Sequence, residues 1–254
     1  MKNVCKFFRS SLGKKYVMAV TGTVLVLFVI GHMVGNLQIF LPPEAINRYA
    51  HFLQSAVELL WPVRLIMLTT IGLHIWSATT LWTENKAARP IGYYGNPTPL
   101  AASLASRTML MGGLIVAAFV VYHLLHYTVK LEAVNGATVR FADLKTPEGL
   151  PDVYAIIIAG FSVWYVSLFY VVGVGALCLH LSHGVQAMFQ SLGFKNHVYG
   201  PCLNQAAKAL AVALFLGYAS IPTSVAVFGH GKAYLQEVVQ KAAATKATAG
   251  EVKH

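Results

Sequence analysis

Charge is what this sequence has least of. Asp, Glu, Lys and Arg make up 11% of its 254 residues, where a soluble domain carries about 25%. With 56% hydrophobic residues, that scarcity excludes an ordinary soluble domain and places the chain in a membrane. Acidic residues are scarcest, nine against nineteen basic ones. Cysteine occurs only as Cys5, Cys178 and Cys202. That excludes a disulfide framework, because two are expected on the inner side and one lies within a span. The alternating runs of a β-barrel are missing, and no internal repeat is visible. The N-terminal apolar run shows no small-x-small cleavage site. It therefore reads as an uncleaved first span rather than a signal peptide.

What is present is a series of long apolar runs: Tyr16–Leu41, Trp61–Trp82, Thr108–Val129, Val153–Leu181 and Ala206–Phe228. Each approaches the roughly 20 residues that cross a bilayer as helix, and backbone facing lipid must satisfy its own hydrogen bonds. The expected fold is all-α, an integral membrane bundle of five transmembrane helices. Residues 1–240 form the bundle, and 241–254 (KAAATKATAGEVKH from Lys241) form a low-complexity, mobile tail. The formal charge of +10 is read as membrane topology rather than nucleic-acid binding. Lys2, Lys6, Arg9, Lys14 and Lys15 precede the first span, Lys86, Arg89 and Arg107 lie in the second loop, and Lys195 and Lys208 lie in the fourth. With the N-terminus inside and the C-terminus outside, only Glu84 among the nine acidic residues falls inside. Lysines in the tail nearly balance the basic count, but the first span and the short loops favour this orientation.

The ionisable residues inside the spans are nearly all histidine: His32 in the first, His74 in the second, His123 and His126 in the third, His180 and His183 in the fourth. An ionisable group in a bilayer is expensive and marks function by default. A single one could equally hydrogen-bond across helices. Four successive helices each carrying one suggest two bis-histidine haem b sites in an apolar bundle. Zinc chemistry would call for carboxylates or thiolates, which these spans almost lack.

Depth then predicts the pairing. His32 lies 15 residues beyond Val17, and His123 lies 15 beyond Thr108, each about 22 Å along its helix. The second and fourth helices run the other way and carry His74 and His180 toward the inside. His32 is therefore expected to pair with His123 at an outer haem, and His74 with His180 at an inner one. Each HxxH pair is about 4.5 Å apart in height, so only one member can match each depth. His126 is expected nearer water than His123, and His183 nearer the cytoplasm than His180. His180 fits imperfectly, at 26 residues past Tyr154, unless its helix tilts or starts late. Gly31, Gly35, Gly173 and Gly175 flank these histidines and permit close approach of a macrocycle or of another helix.

Several segments together carry a family resemblance: GKKYVMAVTG, FVIGHMVGN, WPVR…GLHIW, ARPIGYY…ASRTM, FVVYHLLHYT and HLSHGVQAMFQSLG. Over about residues 12–230 the chain resembles the five-helix, dihaem cytochrome b anchor of succinate:quinone oxidoreductases, that is, succinate dehydrogenase or respiratory complex II and its fumarate reductase relatives. The resemblance implies a haem ligand four residues before a glycine, here His180 before Gly184, and one after an aromatic, here His123 after Tyr122. It also implies the pairing of the first helix with the third and the second with the fourth. The implied partners are a flavoprotein subunit and an iron–sulfur subunit, the latter facing Glu84–Arg107 and the basic N-terminus. Membrane lipid surrounds the chain, and a higher oligomer of the complex is compatible with it. The implied place is a bacterial cytoplasmic membrane, and the electron carrier exchanged is quinone, menaquinone by family analogy.

The same family places a quinol-proton carboxylate near the outer start of the second helix. Glu58, with His51 and Arg64 nearby, occupies that region. The loop PPEAINRYAHFLQSAVELLWP reads equally well as an amphipathic interfacial helix with solvated charges. Some relatives carry a buried glutamate two residues before the fourth-helix ligand. Here that position is Cys178, which leaves a proton path there without its carboxylate. Two other classes stay open at this level. One is a cytochrome b anchor of a hydrogenase or formate dehydrogenase, against which the HLSHG…QSLG and ASRTM combination speaks. The other is a haem-free transporter or structural anchor that uses histidine as polar glue.

Overall fold

The computed structural model describes residues 2–88 and 107–251, with side chains over 6–88 and 107–245. Among the described residues there is no strand, only an antiparallel bridge between Lys145 and Pro151. Five helices are long and apolar enough to cross a membrane: Ser11–Phe40, Val57–Ala87, Met109–Thr128, Trp164–Ser191 and Gly200–Ala226. They are the first to fifth long helices. The first ends in a 3-10 turn, Leu37–Phe40, and the third in a π-turn, Leu124–Thr128. Their outward positions are apolar. Leu27, Leu68, Met111, Val172, Leu179 and Leu216 are each more than 60% exposed. So much apolar surface would favour association in water; against acyl chains it carries no penalty.

Contacts divide the chain into two compact units. One comprises Met1–Gly31, Glu58–Ile115 and Ala176–Leu214; the other comprises His32–Val57, Val116–Gly175 and Phe215–His254. The first unit is pinned near the chain start by Lys14. This lysine is 4% exposed, and its Nζ donates to Glu84 and to the Arg9 carbonyl. Burying an ammonium requires such partners. Glu84 is the one acidic residue assigned to the inner side, and here it neutralises a cation that leaves water. In the same unit, Leu181, Val185, Ala207, Ala211 and Leu214 are buried apolar residues of the fourth and fifth long helices.

The second unit carries the shorter helices. Pro43–Ser55 and Lys232–Glu251 both pack against Val153–Phe161. This last segment corrects one expectation, because the run read as a single span over Val153–Leu181 is two helices. Val153–Phe161 stops at Ser162, and the long helix begins at Trp164. Ser167 Oγ bridges the break by donating to the Phe161 carbonyl at 2.7 Å. Every residue from Tyr154 to Phe161 is buried. A helix apolar all round is one covered all round; here protein provides the cover. The later start resolves the depth of His180, which lies 16 residues beyond Trp164, about 24 Å along the helix.

The segment from Lys241, expected as a tail, continues the helix to Glu251. Its alanines and lysines are strong helix formers. Nearer its start, Tyr234, Leu235, Val238 and Val239 pack on a core of Phe141, Leu144, Ala155, Ile156 and Ala159.

Candidate functional site: two histidine clusters

In the first unit the second long helix supplies His74 and the fourth supplies His180 and His183. His74 Nδ1 lies 3.1 Å from Thr21 Oγ1. The Thr21 hydroxyl has one proton, and it already donates to the Val17 carbonyl at 2.7 Å. Its remaining lone pair must accept, so His74 carries its proton on Nδ1 and leaves Nε2 as a bare donor of electrons. The Met18 carbonyl also hydrogen-bonds this ring. Such an outward bond is what orients a metal-bound imidazole. His180 lies within electrostatic range of His74 and of His183. Its Nδ1 is buried and has no hydrogen-bond partner in the protein. A Cβ on Gly113 would stand 3.4 Å from His180 Cε1, so the third long helix packs against this imidazole edge. His183 is partly buried, with Lys195 near enough to act on it.

In the second unit His32 and His123 face each other, with ring centres 5.8 Å apart and planes at 82°. Imidazoles on opposite sides of one metal ion have their centres about 6 Å apart, given metal–nitrogen bonds of about 2 Å. Tyr170 lies beside this pair, its hydroxyl 3.3 Å from His123 Nδ1 and 2.9 Å from His126 Nδ1. Phe119, Tyr122, Tyr127 and Phe161 enclose the Tyr170 ring. A side chain at Gly173 would collide with Phe119, because a Cβ there would come within 2.3 Å of the ring. Glycine is therefore required for this approach.

His126 is enclosed by protein. It is 0% exposed, and its Nε2 has no partner. The π-turn over Leu124–Thr128 widens the helix at this point. Gly160 of the short buried helix lies against the ring; a Cβ there would stand 3.0 Å from His126 Nε2.

The donor sets fit a bis-imidazole group in each unit. His74 has its proton directed away from Nε2, His180 is a buried imidazole with an orphaned nitrogen, and His32 and His123 have the separation that shared ligation needs. The histidines expected to pair, His32 with His123 and His74 with His180, are brought near one another.

Of the residues named for quinone, Glu58 and Arg64 belong to the first unit and His51 to the second. Glu58 is exposed in the first turn of the second long helix, and the Arg64 guanidinium lies 5.2 Å over the Trp61 ring. His51, in the second unit, has Nε2 2.9 Å from the Pro151 carbonyl, to which it donates. Most of the inner loop proposed to face the iron–sulfur subunit, residues 89–106, lies outside the described residues. Sequence reasoning missed Thr21 and Tyr170. The available signal was a hydroxyl inside an apolar run, which has to find a partner in the membrane.

The architecture defines an all-α protein with five helices suited to crossing a membrane and an imidazole cluster in each compact unit. Comparison with protein-family models, curated proteins and solved structures finds nothing that matches this chain.

Proposed function

We propose that this chain is the dihaem cytochrome b membrane anchor of a succinate:quinone oxidoreductase, acting as succinate dehydrogenase or fumarate reductase. The observation that carries the reading is the separation of the histidines into two clusters, one in each unit, drawn from four of the five long helices. His74 and His180 would hold one haem b, and His32 and His123 the other. When bound between two imidazoles, haem b has no open iron position and supplies one-electron transfer. In this reading the N-terminus lies inside a bacterial cytoplasmic membrane. A flavoprotein and an iron–sulfur subunit dock on that side, and the inner cluster stands nearest to them.

The protein's own contribution is to orient imidazole and keep water away. Thr21 holds the His74 proton on Nδ1, and the aromatic box around Tyr170 excludes solvent from His123. A pyridine haemochrome assay on the purified chain should read two haem b per chain. A value of none would sink the proposal.

Quinone, menaquinone by analogy, would meet a carboxylate that reaches bulk water. Exposed Glu58 can exchange protons with solvent, as a group that takes up or releases a quinol proton must. Glu58→Gln should slow quinone turnover by about 10-fold or more, the scale of general acid–base catalysis. Succinate oxidation by an artificial dye should persist. Unchanged quinone turnover would remove Glu58 from the site.

A further inference from the structure

We infer that Tyr170 is a positioning residue for the second unit's haem, ordering His123 and His126 into one directed hydrogen-bond chain. The inference rests on the haem reading above and adds to it a residue outside the ligand set. The Tyr170 hydroxyl meets two imidazole nitrogens, His123 Nδ1 at 3.3 Å and His126 Nδ1 at 2.9 Å. It has one proton to give, so it can donate to only one of them. An imidazole that presents Nε2 to a metal carries its proton on Nδ1. His123 Nδ1–H therefore donates to the Tyr170 oxygen, and the Tyr170 proton goes to His126 Nδ1. The distances agree, since O–H donors make shorter bonds than N–H donors.

The consequence for His126 follows. With Nδ1 accepting, its proton sits on Nε2, the atom that finds no partner beside Gly160. His126 is thus the terminal acceptor of the chain, and His123 is the member left free to ligate. Tyr170 is 6% exposed and held edge-on by Phe161 and Phe119, with ring centres 4.9 Å and 5.4 Å away. Its hydroxyl cannot swing to water. A ligand imidazole that donates its outward N–H to such an oxygen becomes a stronger base toward the metal. That favours the oxidised iron and lowers the potential.

The test is redox titration with low-spin EPR on the intact complex carrying Tyr170→Phe. The variant should keep two haem b per chain. One midpoint potential should rise and the matching EPR g value should move, while the other haem stays at its wild-type values. Both haems present with both potentials and signals unmoved would overturn the inference while the haem reading stands. A wild-type chain without haem would overturn both. If Tyr170→Phe loses a haem, His126→Phe decides the matter, since it keeps the phenol and removes only the acceptor of its proton. A rise in the midpoint potential of the haem that Tyr170→Phe loses supports the chain. Two haems at wild-type potential in His126→Phe would reduce Tyr170 to packing and overturn it.

Discussion

Replacing His180 with alanine is expected to halve the haem content, from two haem b per chain to one, whereas His183→Ala should retain both. Only three residues separate them, so composition and local hydropathy treat them alike. Their surroundings do not. His180 is within range of His74, has a buried nitrogen without a partner, and lies against the glycine face of the third long helix. His183 lies within reach of Lys195, a cation beyond the end of the fourth long helix. In the dihaem reading His74 and His180 would hold one haem together, and without His180 only His74, oriented by Thr21, would remain to bind it. His74→Ala should lose the same haem, and His32→Ala the other. Reduced-minus-oxidised spectra of each variant, with haemochrome quantification, give the count. Two low-spin haems in His180→Ala would show the ligand assignment to be wrong.

The second large effect concerns stability. Asp152 is 0% exposed. Its Oδ1 accepts from Asn47 Nδ2 at 3.0 Å and Ala155 N at 2.9 Å, and its Oδ2 from the Tyr234 hydroxyl at 2.8 Å. One carboxylate thus caps the helix Val153–Phe161 and ties it to Pro43–Ser55 and to Lys232–Glu251. Asn47 returns the contact, since its Oδ1 accepts from Tyr154 N at 3.0 Å. Asp152→Ala removes the cap and takes the acceptor from two buried donors and one partly buried one, and each such loss costs about 1 kcal/mol. The expected destabilisation is about 3–4 kcal/mol, read as a lower midpoint in thermal unfolding of the detergent-solubilised protein. Asp152→Asn keeps one acceptor oxygen and should cost about 1 kcal/mol. A midpoint for Asp152→Ala equal to wild type would show that the three helices do not depend on this residue. Burial, and then the bond to Asp152, raise the Tyr234 phenol above its usual pKa, so this hydroxyl stays protonated and keeps donating throughout the working range.

Much of this protein is written locally. Five apolar runs of spanning length specify five long helices, because lipid leaves backbone no other partner. The histidines are visible for the same reason, as ionisable groups where few are tolerated. Even the pairing of His32 with His123 follows from counting residues along rigid helices of fixed rise.

What hydropathy cannot distinguish is lipid from protein as the cover of an apolar surface. VYAIIIAGF and the helix that follows form one hydrophobic run in the sequence, yet the first part is a separate helix buried among its neighbours. The same blindness hid the cover of His126, which is sealed by Tyr170, Gly160 and a π-turn. Asp152 counted only among the outer acids, and Thr21 and Tyr170 went unnoticed. Each acquires its role from a partner 44 to 105 residues away, in contacts such as His126 with Tyr170 and Asp152 with Asn47. The sequence by itself determined the helices and the chemistry they carry, since both depend on runs of neighbours and on residue type. Only the tertiary structure decided that the Tyr170 hydroxyl stands between His123 and His126. The physical reason is that a hydroxyl in an apolar run has to find its partners on other segments, here 44 and 47 residues away.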